Sequence, residues 1–311
     1  MPDEPRPTSS AHLSFAPPID LRASLAPLGR SGDDLLDRWD GSTVIRTVRL
    51  ADQDEPIAYA GVVSDSSVEP ALELMLPTQR ADQPAAIVGA IRSTFLADRT
   101  ALADLATRDE GVAGLAEQYP GLVPVLFAHP FAALVRSISA QQVNLRWAAT
   151  VRRRLAERFG RRHSAGAFHA WTLDANRLAT ADVTDLRALQ LTTAKAQSVI
   201  ACAQAEVAGE LRAADLARMD DEGLIVHLCG LRGIGRWSAE WFLARTLGRP
   251  RVVAGDLGVR KAVGRLYRLA YLPSELAVRR LTEHWGAAAT HAQALTLHDL
   301  AVNPLGLPPA G

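Results

Sequence analysis

The pattern of apolar and polar positions changes at about residue 100. Before it, apolar and β-branched residues alternate or form short runs, STVIRTVRLA, PIAYAGVVSDSS and VEPALELML, which acidic, Pro and Ser clusters separate. This pattern predicts a small antiparallel sheet. The stretch PAAIVGAIRSTFLADR has Ile87, Ile91 and Phe95 at helical spacing. We therefore expect a helix that covers one face of the sheet.

Beyond Thr100 the pattern is helical almost throughout, with Gly or Pro between Ala-, Leu- and Arg-rich segments. Apolar stripes predict a helix after Pro130 and another from Leu145 to Leu155. Further helices are expected near 192–209 and 220–228. The predicted fold class is α+β, with an N-terminal antiparallel sheet and helices followed by all-helical domains.

This change of pattern also predicts the domain organisation. We expect a disordered leader at residues 1–12, because this stretch is polar and rich in proline. An N-terminal α/β domain follows at 13–110, then a central helical domain at 111–225. A C-terminal helical region at 226–311 is expected to pack with the central domain.

Composition excludes several kinds of site. The formal net charge is zero, so the average charge gives no nucleic-acid signature, and the three arginines at 152–154 are predicted to form a solvated helix face. Cys202 and Cys229 are the only cysteines, which excludes a disulfide framework and a cysteine-ligated iron-sulfur cluster. The eight histidines have no metal-ligand spacing. No apolar run is long enough for a membrane helix or a signal peptide, so a cytoplasmic protein is expected.

The stretch LRGIGRWSAEWFLARTLGRPRVVAGDLGVRKAV, residues 231–263, holds the candidate chemistry. Gly233 and Gly235 allow a tight turn between two helices, and the unpaired NH groups that open the second helix favour an anion such as a phosphate. On spacing alone, the favoured interpretation is a plain C-cap in which Gly230 and Gly233 end one helix and no ligand binds. Asp256 precedes an apolar-periodic basic helix, which predicts an N-cap. A carboxylate at this position also suits a reaction that builds positive charge.

These residues resemble the helix-hairpin-helix-GPD superfamily of DNA base-excision glycosylases, in which a G-I/V-G hairpin precedes the catalytic aspartate at nearly this spacing. The segments HPFAALVRSISAQQVNLRWAATVRRRLAERFG and LTTAKAQSVIACAQAEVAG are similar to further motifs of the family. FAPPIDLRASLAPLG and the strands after it are similar to the N-terminal domain of its bacterial 3-methyladenine DNA glycosylase II branch. The resemblance runs from about Phe15 to Leu300.

The resemblance implies a monofunctional DNA glycosylase that hydrolyses the N-glycosidic bond of alkylated purines such as 3-methyladenine after base flipping. Asp256 is the implied catalytic residue. Lyase members carry a lysine two residues after the last hairpin glycine, where this chain has Trp237, so no lyase activity is expected. Two alternatives stay open: a glycosylase for an oxidised or deaminated base, and a non-catalytic module that binds damaged DNA. A pure DNA clamp, however, needs no carboxylate beside the phosphates.

The resemblance also implies the site residues. The base pocket is expected at Trp237, Trp241, Leu297 and His298, where Leu297 replaces an aromatic residue of the family. DNA contacts are expected from eight residues: Gln141, Gln142, Arg232, Gly233, Ile234, Gly235, Arg236 and Arg260.

The implied partners follow from the same resemblance. Backbone carbonyls of Cys229, Leu231 and Ile234 are expected to hold a structural Na⁺ or K⁺, with no other cofactor. The partner is double-stranded DNA that contains damaged bases, bound by a monomer in the bacterial nucleoid.

Overall fold

The structure is a computed structural model that describes residues 8–50, 53, 55–64, 66, 68–78 and 83–304. Its first part is a five-stranded antiparallel sheet with the strand order β1-β5-β4-β3-β2. The strands are β1 (Thr8–Ser14), β2 (Arg38–Trp39), β3 (Thr43–Val48), β4 (Ile57–Val63) and β5 (Ala71–Pro77). The predicted sheet is confirmed. Its three apolar segments became β3, β4 and β5, which are the inner strands.

Strand β1 shortens the predicted leader. Thr8 lies opposite Pro77 and Ser14 opposite Ala71, so residues 8–12 belong to the sheet, while residues 1–7 lie outside the described part. Only Leu13 of this strand is fully buried. The TSSAHLS segment therefore carries almost no apolar signal, and its position comes from backbone hydrogen bonds to β5.

Helices make up most of the remaining chain. The two beside the sheet are α1 (Leu21–Gly29) and α2 (Pro84–Arg92). The others are α3 (Thr100–Ala106), α4 (Glu110–Gln118), α5 (Pro130–Ala140), α6 (Leu145–Phe159), α7 (Ala175–Ala179), α8 (Val183–Ala188), α9 (Thr193–Val207), α10 (Ala213–Arg218), α11 (Asp221–Cys229), α12 (Arg236–Arg245), α13 (Leu257–Leu266), α14 (Glu275–Leu281) and α15 (Ala289–Val302), with a 3₁₀ helix at Glu283–Ala288. None of the described helices is long and apolar enough to cross a membrane.

Two local predictions were wrong. Helix α2 ends at Arg92, so Phe95 lies outside it and forms a β-bridge with Val125, although its side chain is buried as expected. The helical part also contains a β-hairpin, β6 (Gly160–Ala165) and β7 (Phe168–Leu173), whose Ala170 packs on the large sheet. This hairpin turns at Gly166, which has φ +62°, a conformation that favours glycine.

The apolar residues form two principal cores. The first joins the sheet to α5, α6, α9, α11 and α12. The second joins α3 and α4 to α13, α15 and the fully buried Trp285. Helices α3 and α4 thus pack on the C-terminal helices rather than on the sheet. The domain boundaries at 110 and 225 stay predictions.

Buried ion pairs tie the N-terminal sheet to α5 and α6. The Asp34 carboxylate lies 2.7 Å from Arg136 Nη1 and 2.8 Å from Arg152 Nε. Asp37 accepts hydrogen bonds from Arg46 on β3 and Arg136 on α5. Burial alone would raise the pKa of Asp37, but the two arginines lower it to about 2. Arg152 is therefore buried and paired rather than part of a solvated face.

We expect Asp34→Ala to destabilise the protein strongly, because it leaves the buried guanidinium of Arg152 without its charged partner. A loss of about 3–5 kcal/mol in the free energy of unfolding is the usual size of this effect. Glu157→Ala is the matched control, since it breaks an exposed ion pair with Arg153 on the same helix and should cost at most about 1 kcal/mol. Equal losses in urea unfolding of the two variants would contradict this assignment.

Candidate active site

The loop between α11 and α12 is the glycine hairpin that the sequence predicts. Gly233 has φ +78°, and a Cβ at this position would collide with the hydroxyl of Ser198 on α9. Gly235 is the N-cap of α12 and has no side-chain cap. Both glycines are exposed. The first NH groups of α12 therefore open toward solvent, and the helix dipole favours an anion there.

Two side chains hold this hairpin against the end of α5. Gln141 donates from Nε2 to the carbonyl oxygen of Gly233 at 3.1 Å. Lys195 on α9 donates from Nζ to the carbonyl oxygens of Ser139 and Gln141, at 3.0 and 2.6 Å. Burial lowers the pKa of Lys195. Gln141 thus acts through the hairpin backbone, and Lys195 fixes the turn that carries Gln141.

Gln142 follows at the tip of this turn. It is exposed and has φ +55°, a left-handed conformation that is uncommon for a residue with a side chain. The next residue but one, Asn144, caps α6 by accepting a hydrogen bond from Trp147 N at 2.8 Å. Gln142 is therefore exposed in the turn between α5 and α6, next to the residue that contacts Gly233.

Asp256 is the N-cap of α13, as predicted. Its Oδ1 accepts a hydrogen bond from Val259 N at 3.0 Å, and its Oδ2 accepts one from Nε1 of Trp237 at 3.1 Å. The side chain is half-buried. One residue in the first turn of α12 therefore fixes the carboxylate that begins α13, and the dipole of α13 favours the negative charge.

The other expected pocket residues lie at different places. Trp241 stacks on Phe127 with ring centroids 5.4 Å apart, which is a packing contact in the first core. Leu297 lies beside α13, where its Cδ2 would be 3.5 Å from a Cβ added at Gly258. His298 packs edge-on against Tyr119 on α4, with ring centroids 4.8 Å apart.

His298 is separate from the carboxylate. Burial lowers the pKa of His298. Within the described part of the chain, no hydrogen bond or ring contact joins it to Trp237, Trp241 or Asp256. The structure thus brings together Trp237 and Asp256, with Leu297 on the neighbouring helix.

The three arginines expected at DNA have different partners. Arg232 donates to the neutral side chain of Gln197. Arg260 donates to the carbonyl oxygen of Pro273 at 2.7 Å. Arg236 instead pairs with Glu222 and Glu240, at 3.2 and 3.1 Å. The acceptors of Arg232 and Arg260 are neutral, so these contacts leave the positive charges of both arginines uncompensated. The positive charge of Arg236 is instead compensated by two carboxylates.

Sequence reasoning missed three residues that build the site. Lys195 and Ser198 position the hairpin from α9. The only sequence feature that could have indicated them is the similarity of the segment LTTAKAQSVIACAQAEVAG to a family motif. Glu240 lies between the two tryptophans of α12, is almost fully buried, and accepts hydrogen bonds from Arg279 at 2.8 and 3.0 Å. A single glutamate among the apolar residues of α12 indicates that Glu240 has a cationic partner, but the sequence does not identify Arg279 as that partner.

The sequence and the fold have parallels among known proteins. Residues 135–288 match the family described as HhH-GPD superfamily base excision DNA repair protein. The chain is 22% identical over 271 residues to the DNA-3-methyladenine glycosylase of Bacillus subtilis, covering 86% of this chain and 89% of the relative. It is 28% identical over 178 residues to the putative DNA-3-methyladenine glycosylase YfjP of the same organism, covering 57% of this chain.

The match to YfjP spans 61% of that relative's length. Among solved structures, the 3-methyladenine DNA glycosylase from Archaeoglobus fulgidus superposes with a TM-score of 0.78 at 20% identity. This superposition covers 96% of this chain and 100% of that one. The likeness shows that the two chains share a fold over nearly their whole length.

The two hairpin glycines should respond differently to substitution by alanine. Gly233→Ala places a side chain at a positive φ and against Ser198, so we expect a loss of about 1–3 kcal/mol in the free energy of unfolding. Gly235→Ala meets no atom within 4 Å and keeps an ordinary φ of −103°, so it should cost no more than about 1 kcal/mol. Thermal unfolding of both variants measures the two losses. A larger loss for Gly235→Ala than for Gly233→Ala would contradict the described hairpin geometry.

Proposed function

Because the chain belongs, through residues 135–288, to the HhH-GPD superfamily of base excision DNA repair proteins, we propose that it is a monofunctional DNA glycosylase for alkylated purines such as 3-methyladenine. The observation that carries the proposal is the fixed carboxylate of Asp256 at the start of α13, hydrogen-bonded to Trp237 in the first turn that follows the hairpin. The names of the two Bacillus subtilis relatives support the substrate class.

Binding of double-stranded DNA is assigned to the hairpin. The open NH groups around Gly233 and Gly235 would hold a phosphate of the damaged strand, and such contacts position the protein without reading sequence. Backbone carbonyls of Cys229, Leu231 and Ile234 would hold a monovalent cation in the same loop. Leu231 O already accepts a hydrogen bond from Ile234 N at 3.1 Å, but a carbonyl oxygen has a second lone pair for an ion.

The target nucleotide would leave the base stack, which costs a few kcal/mol and costs least for a damaged base. Gln142, exposed at the tip of its turn, would fill the space that the nucleotide vacates. The extruded base would lie against Trp237. An alkylated purine is cationic, and the face of an indole attracts a cation by about 0.5–2 kcal/mol.

Asp256 would act on the sugar. The N-glycosidic bond breaks and its electron pair leaves with the base, so positive charge develops on the sugar ring. The Asp256 carboxylate opposes this charge, and a water molecule adds its oxygen to C1′ and gives up a proton. A base that is already cationic leaves as a neutral molecule and needs no acid to protonate it. The carboxylate therefore supplies the main chemical contribution of the protein.

The absence of lyase chemistry is part of the proposal. A lyase needs an amine that attacks the sugar, and the sequence contains only Lys195 and Lys261 as lysines. Lys195 donates to two carbonyl oxygens behind the hairpin. Lys261 lies five residues beyond Asp256, about 140° around the axis of α13. Neither lysine shares the position of Trp237.

We expect Asp256→Asn to lower the single-turnover rate of base release by at least about a hundredfold. The amide keeps one oxygen that can accept the hydrogen bond of the helix cap from Val259 N, so the substitution removes the charge and one of the two acceptors, the one that faces Trp237 Nε1. DNA affinity should stay the same or rise, because a negative charge beside the phosphates is lost. Duplexes that each carry one modified base provide the assay. Unchanged base release would remove Asp256 from the catalytic role.

Product analysis tests the monofunctional mechanism. The reaction should leave intact strands with abasic sites, which break only after alkali is added. Borohydride should trap no covalent protein–DNA complex, since no amine faces the sugar. Direct strand cleavage together with a trapped complex would contradict the proposal, and loss of that complex in Lys195→Arg or Lys261→Arg would identify the amine.

A further inference from the structure

A groove with an excess of arginine lies between the end of α1 and one face of α6. We call it the α1–α6 groove. Residues 29–33 form one wall, and the α6 face from Arg146 to Arg153 forms the other. The groove is open to solvent and has a volume of about 490 Å³.

Three arginines face this groove, Arg30 from the α1 side and Arg146 and Arg153 from α6. No described carboxylate forms an ion pair with Arg30 or Arg146. Among the described residues, Arg153 forms an ion pair only with Glu157, at 3.0 Å. Both side chains are half exposed, so this pair contributes little to stability.

The one carboxylate in the groove is already neutralised. Asp33 lies 2.7 Å from Arg38. Apart from this pair, two guanidinium groups without a described carboxylate partner, those of Arg30 and Arg146, face the groove together with Arg153, whose ion pair with Glu157 is exposed. Guanidinium groups bind phosphate through forked hydrogen bonds, so the charge and the chemistry both fit a polyanion.

The lining between the arginines consists of small side chains. Gly29, Ser31 and Gly32 lie on one wall, and Ala149 and Thr150 on the other. Small residues let a ligand backbone approach the protein closely. Hydroxyl groups of Ser31 and Thr150 are also common donors to phosphate oxygens.

The position of the groove connects it to the hairpin. Gln141, which contacts Gly233, lies four residues before the first residue of α6. Arg146 stands in the first turn of α6, and Arg153 is seven residues farther, about 10 Å along the helix axis. A DNA strand that passes the hairpin can therefore continue along α6 without leaving the protein surface.

The groove also explains the three consecutive arginines of α6. Arg152 points inward and pairs with Asp34, which directly follows the groove wall at 29–33. Arg153 faces the groove, and Arg154 lies over the ring of Trp147 at 5.4 Å. The buried pair thus fixes the distance between the two walls, and its neighbour supplies charge to the space between them.

We propose that the α1–α6 groove is a second DNA-binding site, which holds the phosphodiester backbone of the duplex that flanks the extruded nucleotide. The proposal rests on the proposed function for the presence of DNA at the hairpin. Arg30 and Arg153 would each contact a phosphate, with Arg146 nearest to the damaged position.

The salt dependence of DNA binding tests the groove. The probe is a duplex with a stable tetrahydrofuran abasic site, and its affinity is measured by fluorescence anisotropy over a range of salt concentrations. Each lost phosphate contact reduces the slope of log K against log salt by about 0.9. The double variant Arg30→Gln, Arg153→Gln should therefore reduce the slope by about 1.8 and weaken binding at least about tenfold at 0.1 M salt. Arg158→Gln is the matched control, since Arg158 is exposed on α6 outside the groove, and it should keep the wild-type slope.

Ethylation of single phosphates shows where the contacts fall. Some flanking phosphates should weaken wild-type binding when ethylated but have no effect on the double variant, because the arginines they meet are gone. Arg153→Glu serves as a second variant at an exposed position and should weaken binding further by repulsion. A wild-type slope and an unchanged ethylation pattern in the folded double variant would overturn the proposal. These experiments need no base release, so a protein that fails to release any base but shows the reduced slope refutes the glycosylase assignment and not the groove.

Discussion

The two hydrogen bonds of the Asp256 carboxylate are the constraint on which the rest of the site depends. One oxygen is held by the backbone of α13 and the other by the indole of Trp237. The carboxylate can therefore keep its place only if α12 and α13 begin side by side. Close contact between Gly233 and Ser198 places the start of α12 against α9. The glycines and the aspartate are thus parts of one arrangement, and the turn sets where the charge lies.

A second set of polar contacts orients the remaining elements. Lys195 and Gln141 join α9, the end of α5 and the hairpin, while Asp34 and Asp37 join α5 and α6 to the N-terminal sheet through Arg136 and Arg152. The charged groups of Asp34, Asp37, Arg136 and Arg152 are costly to bury alone, and each is stable only when its partner is present. The N-terminal part of the chain therefore helps to fix the positions of α5 and α6.

The sequence predicts the parts whose signal is local. Apolar periodicity gave α5, α9 and α11, and the cap rule placed Asp256 at the start of α13. These local patterns do not predict an element whose position depends on partners far away in the chain. Strand β1 is a mostly polar segment that β5 pairs with, and β6 and β7 lie in a part of the chain that reads as helical.

In the candidate site, too, the contacts between distant residues are the part that the sequence does not predict. The bond between Trp237 and Asp256 joins residues that the sequence separates by nineteen positions, and the periodicity of neither helix indicates it. The inward turn of Arg152 depends on Asp34, more than a hundred residues earlier. The family resemblance implied a pocket position for Trp241, yet its ring stacks on Phe127, which lies in the loop before α5.

The most direct test asks whether the charge of Asp256 faces the sugar. Two duplexes are compared, one with a neutral tetrahydrofuran residue and one with a cationic pyrrolidine in its place, which imitates the charged sugar of the transition state. The wild-type protein should bind the pyrrolidine duplex at least about tenfold more tightly, because opposite charges at contact distance attract even when partly solvated. Asp256→Asn should bind both duplexes equally. An undiminished preference for pyrrolidine in this variant would contradict the account.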